Sequence, residues 1–389
     1  MQHLERAAKA IRKEKLSGWL FYNIQNRDTI SNYILQIPDN NLNTRPWVYI
    51  IYSHKEAIKI VHKIEQTSLD HLRGKKEVYK DRRTFINILQ KYALPHNKIA
   101  CQYSINNPQL SFLDHGTAML LADLGYNLYS SENLIQRFLS TLSPLQLASH
   151  EQTSKKLHTI IFEVWKRVEK AFSLSKPLLY EGDILSWIQN LMTDLGLITD
   201  SPLIVATGKN STGPHYIPKN QGSLLKRGEV LQLDIWAKNN KRGAIYADIS
   251  WVGVLSPKPL PLVEKVFDSI IKARDSAVNY IAHALEKEKE LTGAKIDAYV
   301  ESILKESGFS KYIKHRTGHA IDQEVHGFGV NLDAKEFPDT RSLIDGSCFS
   351  IEPGLYLPEF GLRTEIDVYI SKSKVVISGA SPQKEMLHL

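Results

Sequence analysis

Four carboxylates stand inside apolar strand patterns in the C-terminal half of this chain. Asp234 lies in EVLQLDIW (229–236), Asp248 in the run from Ala244 to Val254, Glu352 at the end of FSIE (349–352) and Glu365 in the run from Leu362 to Ile370. Aspartate is disfavoured in strands, and a buried charge without a partner is very costly. Any fold that buries these strands must bring the carboxylates to a compensating charge. Side chains alternate along a strand, so Arg363, Glu365, Asp367 and Tyr369 should share one face of a strand from Leu362 to Ile370. Leu362, Thr364, Ile366, Val368 and Ile370 should share the other. Arg363 can then serve Glu365, but nothing near in sequence serves Glu352; a bound cation would serve both. Asp234 and Asp248 are 14 positions apart (248 − 234) on a strand and its return strand. If they face each other they repel, unless a cation sits between them.

The remaining candidate ligands are histidines. His315, His319 and His326 fall within twelve residues, a denser cluster than 14 histidines in 389 residues would usually give. Taken with the carboxylates, His319 completes the set Asp234, Asp248, His319, Glu352 and Glu365. Four carboxylates and one imidazole, with no thiolate, suit Mn²⁺, Co²⁺, Zn²⁺ or Fe²⁺ and not a structural zinc site. Four negative ligands are too many for one divalent ion with an open position. They match two ions roughly 3.5–4 Å apart, a pair that generates a nucleophile at neutral pH.

Residues 1–142 read as an α/β domain. Apolar runs at Trp19 to Tyr22 and Trp47 to Tyr52, with Ile99 to Tyr103 and Tyr126 to Ser130, predict strands. Helical patterns precede and separate them: an amphipathic stretch through Leu4, Ala7, Ala8 and Ile11, then Arg83 to Tyr92 and Phe112 to Leu124. This alternation predicts a partly parallel sheet covered by helices. The segment has no Gly-rich phosphate loop and no ligand cluster. A second domain, 143–389, starts at Ser143-Pro-Leu-Gln146, an N-cap serine with proline at the first helical position and glutamine at the third. A long helix to about Phe172 should follow, then one from about Glu181 to Leu195 with Gly196 as its C-cap. Leu203 to Thr207 is a short strand leading into a polar loop that carries His215. Further helices are expected over about Leu260 to Lys287 and Lys295 to Ser307.

Composition excludes several classes. At 42% hydrophobic and 23% charged the chain is an ordinary globular one. No apolar run approaches the length of a transmembrane helix, so no membrane association is expected. The charged N-terminus lacks a signal-peptide pattern, and two distant cysteines form no disulfide framework; both point to the cytoplasm. The net charge of +7 is spread over short groups, which reads as solvated surface and not as a nucleic-acid face.

The motifs LDIW (233–236), YADISW (246–251), HRTGHAIDQEVHG (315–327), SIEPGLYLPEFG (350–361) and LRTEID (362–367) resemble, in this order, the dinuclear peptidases of the pita-bread fold. This is the group of methionine aminopeptidase, aminopeptidase P and prolidase, peptidase family M24. The resemblance covers about residues 143–370 and extends by architecture to the N-terminal domain. It implies an α/β N-terminal domain followed by an α+β pita-bread (creatinase/aminopeptidase-like) catalytic domain. One departure is the Asp234–Asp248 spacing, longer than the family's usual one, with the surplus in the polar loop Lys238 to Gly243.

The resemblance also implies roles. Asp234 would chelate one ion, Asp248 and Glu365 would bridge two, and His319 and Glu352 would hold the second. Glu352 would serve a metal-bridging hydroxide as general base. His326 would stabilise the tetrahedral intermediate, and His215, nineteen residues before Asp234, would contact the scissile amide. His315 would shape a pocket for a proline ring, and Arg363 would orient Glu365. The implied protein is a cytoplasmic homodimer with two divalent ions per chain, Mn²⁺ first, cleaving the bond between an N-terminal residue and proline in a peptide with a free N-terminus. The alternatives are a catalytically silent binding protein on the same fold, or a peptidase without proline preference.

Overall fold

The computed structural model describes residues 2–38, 43–174 and 178–389. The chain forms two compact units, Met1–Leu139 and Ser140–Leu389.

In the first unit, six strands form one sheet: β1 (Gly18–Asn23), β2 (Trp47–Tyr52), β3 (Ile58–His62), β4 (Lys75–Tyr79), β5 (Lys98–Cys101) and β6 (Asn127–Ser130), in the order β4-β3-β2-β1-β5-β6. Pairing is antiparallel at β1/β2 and β2/β3 and parallel at β3/β4, β1/β5 and β5/β6, so the sheet is partly parallel. Helices α1 (Gln2–Lys13), α2 (Thr29–Leu35), α3 (Arg82–Tyr92), α4 (His115–Asp123) and α5 (Glu132–Leu139) accompany it. β1 and β2 are almost wholly buried, which is why they read as continuous apolar runs. Sequence reading missed β3 and β4. β4, KKEVY, is an edge strand with one buried residue, so it carries no apolar signal.

The second unit opens with α6 (Pro144–Phe172). Its capping box is the expected one: Gln146 N donates to Ser143 Oγ, and Ser143 N donates back to Gln146 Oε1 at 3.0 Å. Helix α7 (Glu181–Asp194) ends before Gly196, whose φ of +66° is the left-handed cap conformation. Next come β7 (Leu197–Ile198), β8 (Ile204–Thr207), β9 (Val230–Asn239) and β10 (Ala247–Val254), then helices α8 (Pro261–Glu286) and α9 (Gly293–Glu306). The chain closes with β11 (Cys348–Ile351), β12 (Gly354–Tyr356), β13 (Gly361–Arg363), β14 (Ile366–Ser371), β15 (Lys374–Ile377) and β16 (Leu387–His388). One sheet runs β16-β10-β9-β7 with β8 also on β9; β11-β14-β15 and β12-β13 are separate small sheets.

Two apolar clusters hold this unit. α6 and α7 bury Leu157, Ile161, Val164 and Ile188 against Leu233 and Ile249 of β9 and β10. α8 and α9 bury Phe267, Ile270 and Val300 against Phe349, Ile351 and Val368 of the small sheets. Each such side chain contributes about 1.5–3 kcal/mol. The strands that carry Asp234, Asp248 and the β11–β14 region are thus clamped between helix layers.

One sequence expectation fails here, and one question that the sequence left open is answered. The run from Leu362 to Ile370 is not one strand: it breaks at Thr364 and Glu365. β13 pairs with β12, β14 pairs with β11, and between them Glu365 N donates to Ser250 O of β10 at 3.1 Å. The chain crosses between sheets there, so strict alternation does not carry from Arg363 through to Tyr369. The pairing of Asp234 and Asp248, which the sequence left open, is not direct. Asp234 is opposite Ser250 and Asp248 is opposite Trp236, a diagonal pair displaced by two residues on one face.

Candidate metal centre and active site

The strand crossings bring side chains from β9, β10, the loop before β11, and the β11–β14 region into one cavity of about 590 Å³. Asp234, Asp248, His319, Glu352 and Glu365 all line it, as do His215, His315, His326 and Arg363.

At its floor, ligand atoms of Asp248, His319 and Glu365 lie within 4.8 Å of one another, all three residues buried. His319 Nε2 is 3.7 Å from Asp248 Oδ2 and 3.4 Å from Glu352 Oε1. His319 is aimed by its other nitrogen, 3.2 Å from Ala320 O. Its backbone is fixed too: His319 N donates to Ser350 Oγ at 3.0 Å, and Ser350 N donates to His319 O at 2.9 Å. The residue before it must be glycine, because a Cβ on Gly318 would meet Ser350 O at 2.1 Å.

Asp248 Oδ1 and Glu365 Oε1 are buried and accept no hydrogen bond among the described residues. Buried acceptors are normally satisfied. Burial first, and the neighbouring carboxylates next, raise the pKa of both residues. Burial likewise pushes Glu352 up to about 7, against the pull of Arg363. The imidazoles move the opposite way. Burial lowers His319, and desolvation followed by the Arg316 charge lowers His326 to about 4. Crowded carboxylate oxygens beside a neutral imidazole, two of them with no donor, are a hard-donor set that fits divalent cations.

Asp234 is held differently. Ser250 Oγ lies 2.7 Å from Asp234 Oδ1 and 3.1 Å from Glu365 Oε2, and Arg363 Nη2 donates to Asp234 Oδ2. Arg363 therefore bonds Asp234 directly and reaches Glu365 through Ser250, whose Oγ accepts from its Nε at 3.3 Å. Arg363 Nε is also 3.9 Å from Glu352 Oε2, so Glu352 does have a cation nearby that sequence distance concealed.

Arg363 continues outward. Its Nη1 donates to Tyr356 Oη at 3.0 Å and to Pro214 O at 3.2 Å. Tyr356 Oη in turn is 2.7 Å from His315 Nε2. His315 Nδ1 is 2.7 Å from Arg316 O, a carbonyl, so Nδ1 carries the proton and Nε2 accepts from the tyrosine. Burial lowers His315 to about 3. Both its nitrogens are engaged, so the neutral ring can present only its face to the cavity. His326 lies against His319 with ring centroids 4.3 Å apart and ring planes tilted by 53°. His215 is exposed at the cavity wall, and its imidazole makes no hydrogen bond among the described residues.

Sequence reasoning gave no role to Ser250, Gln232, Tyr356, Asp367 or His150. Gln232 bonds both backbone groups of Arg363, accepting from its N at 2.9 Å and donating to its O at 3.0 Å. Asp367 Oδ2 accepts from Asp248 N at 2.7 Å, and His150, buried on α6, lies 3.8 Å from it. Ser250 and Gln232 stand two positions from Asp248 and Asp234 on the same strand faces, a period-two signal that could have found them.

The profile of metallopeptidase family M24 matches residues 155–372. The Xaa-Pro dipeptidase of Lactobacillus delbrueckii subsp. lactis is 28% identical over 168 residues, 43% of this chain and 41% of that protein. The Xaa-Pro aminopeptidase 3 of Mus musculus is 26% identical over 206 residues, 48% of this chain and 38% of that protein. The matched stretch thus spans less than half the length of these two curated relatives. Among solved structures, dipeptidase PepE from Mycobacterium ulcerans superimposes with a TM-score of 0.73 at 18% identity, covering 100% of this chain and 97% of that one. At that identity the likeness shows the fold.

Proposed function

The chain belongs to metallopeptidase family M24, and from that premise we propose that it hydrolyses the bond between an N-terminal residue and proline, as an Xaa-Pro aminopeptidase or Xaa-Pro dipeptidase. The observation that carries this reading is the convergence of Asp248, His319 and Glu365, two of their oxygens unpartnered, in a cavity shared with His215, His315 and His326.

Asp234, Asp248, His319, Glu352 and Glu365 would hold two divalent ions, Mn²⁺ by preference. When bound, the ions supply Lewis acidity and lower the pKa of the attacking water. Glu352, beside His319, takes the water's proton as general base and returns it to the proline nitrogen as that bond breaks. His326 is neutral near physiological pH and donates its N–H to the oxyanion developing on the carbonyl. His215 contacts the scissile amide from the cavity wall. A tertiary Xaa-Pro amide has no N–H to offer and carries a rigid ring. The His315 face, with no free polar atom, suits that ring. Arg363 holds Asp234 and the Pro214 backbone together, so it acts on the ligand and on the substrate loop at once.

The reading includes a cytoplasmic homodimer built on the N-terminal unit, without nucleic-acid or membrane partners. It is supported by the two free buried cysteines and the scattered positive charge. Among the described residues no helix is long and apolar enough to cross a membrane. Light scattering at micromolar concentration tests the dimer; a monomer would refute it.

The decisive assay compares Ala-Pro and Ala-Pro-Ala with Met-Ala-Ser in the presence of Mn²⁺. Hydrolysis of the proline substrates is expected. Preference for Met-Ala-Ser would reject the proline assignment, and no turnover of any of them with both metals bound would point to an unrelated small substrate.

A further inference from the structure

Glu181 is a fully buried carboxylate that no step above uses. It is the first residue of α7, where an acid complements the helix dipole. Its oxygens, however, accept from another part of the chain. Oε1 accepts from Thr207 N at 2.8 Å and from Asn210 Nδ2 at 3.0 Å. Oε2 accepts from Tyr216 Oη and Ser223 N, each at 2.7 Å. These four donors span both ends and the middle of the loop that carries His215. Asn210 Nδ2 ties the knot further, 2.9 Å from Tyr216 Oη and 2.8 Å from Ser223 Oγ. The loop closes so tightly on the carboxylate that a Cβ on Gly222, whose φ is +67°, would lie 2.5 Å from Oε2.

The other side of His215 is held as well. Pro214 O accepts from Arg363 Nη1 at 3.2 Å, and Thr212 O accepts from Lys314 Nζ at 2.8 Å. His215 thus stands between a neighbour anchored to Arg363 and a neighbour anchored to Glu181. Its ring makes no hydrogen bond among the described residues, so the backbone on either side fixes the point from which it reaches the cavity. Carboxylates that accept several charge-assisted hydrogen bonds hold geometry firmly, and catalytic contacts depend on placement to better than about 1 Å.

We propose that Glu181 is a positioning residue for His215: its buried carboxylate fixes the 207–223 loop and the Tyr216 ring so that the His215 imidazole meets the substrate in one orientation. The inference rests on the reading of His215 as a substrate contact. Glutamine at position 181 keeps the volume but sets an NH₂ group against N–H donors that need an acceptor. The loop then loses its anchor while the metal-ligand cluster, held by other bonds, stays in place.

The test is a double-mutant cycle on Glu181→Gln and His215→Ala, assayed with Ala-Pro and Mn²⁺ at equal metal content. Glu181→Gln should lower kcat/KM by about 10- to 100-fold, the scale of a misplaced catalytic contact. In the His215→Ala background the same change should cost less than about twofold, because the contact it serves is gone. Equal losses in both backgrounds would overturn the inference and leave Glu181 a stabilising residue only. Full activity of His215→Ala would also overturn it, through its premise, while Xaa-Pro hydrolysis itself would stand. Tyr216→Phe, which removes one donor and keeps the ring, replaces Glu181→Gln if that variant does not fold; its smaller loss should likewise vanish without His215. An independent readout is the ring Cε1–H resonance of His215, identified by its absence in His215→Ala. It should broaden or split in Glu181→Gln, and an unchanged line would overturn the proposal.

Discussion

The backbone amide of Asp248 donates to Oδ2 of Asp367 at 2.7 Å. This bond joins β10 to β14, strands of different sheets, directly behind the residues proposed to hold metal. Burial raises the Asp367 pKa, against the bond that the Asp248 amide gives it. Asp367→Ala leaves a buried N–H without an acceptor and is expected to cost about 1–3 kcal/mol. Asp367→Asn still offers a carbonyl oxygen and should keep most of that stability. Denaturant titration of the chelated variants checks both, and an Asp367→Ala protein as stable as wild type would remove this bond from the account.

Asp248→Ala is expected to carry one ion or none per chain and to be inactive. Elemental analysis of the purified variant is the measurement. Two ions per chain with near-normal turnover would remove Asp248 from the ligand set.

His326 touches His319 through its ring and donates to no metal ligand in this reading. His326→Ala should therefore retain its ions and lose about 10²–10³-fold in kcat, the usual cost of removing one oxyanion donor. Metal content falling in step with activity would instead make His326 a ligand.

Gly318 packs against the Ser350 carbonyl of β11, with space for a hydrogen and not for a methyl group. Gly318→Ala must push the His319 loop off that strand, breaking the reciprocal His319–Ser350 bonds. A loss of about 1–3 kcal/mol is expected, with weaker metal binding. Calorimetry of metal-free protein separates the two effects, because the stability loss should appear without any ion.

In the N-terminal unit, burial raises the Asp28 pKa to about 6, against the bonds that Ser31 gives it. The folded state then binds its proton more tightly than the unfolded state does. Its contribution to stability is full below about pH 4 and is lost as pH rises through 6. The amide introduced by Asp28→Asn can still cap α2 through its carbonyl oxygen. Asp28→Asn should thus gain on wild type between pH 4 and pH 7, by up to about 3 kcal/mol for a shift of this size. Parallel melting curves at the two pH values measure it, and a constant difference would contradict the shift.

Sequence alone determined the class of this protein because its strongest signals are local. The Ser143–Gln146 capping box is a four-residue device and reads directly. The apolar runs of β1 and β2 are legible because both faces of those strands are covered, and carboxylates inside strand patterns are conspicuous because burial penalises them so heavily. What the sequence could not determine depends on which strand pairs with which. The two-residue offset between Asp234 and Asp248 is a matter of register. The break at Thr364 and Glu365 arises because Glu365 bonds to Ser250 of another sheet. The pairing of Arg363 with Asp234 spans 129 residues of chain, and that of Glu181 with the His215 loop spans 26 to 42. No local pattern encodes those distances; only the closure of the tertiary fold brings each carboxylate to its partner.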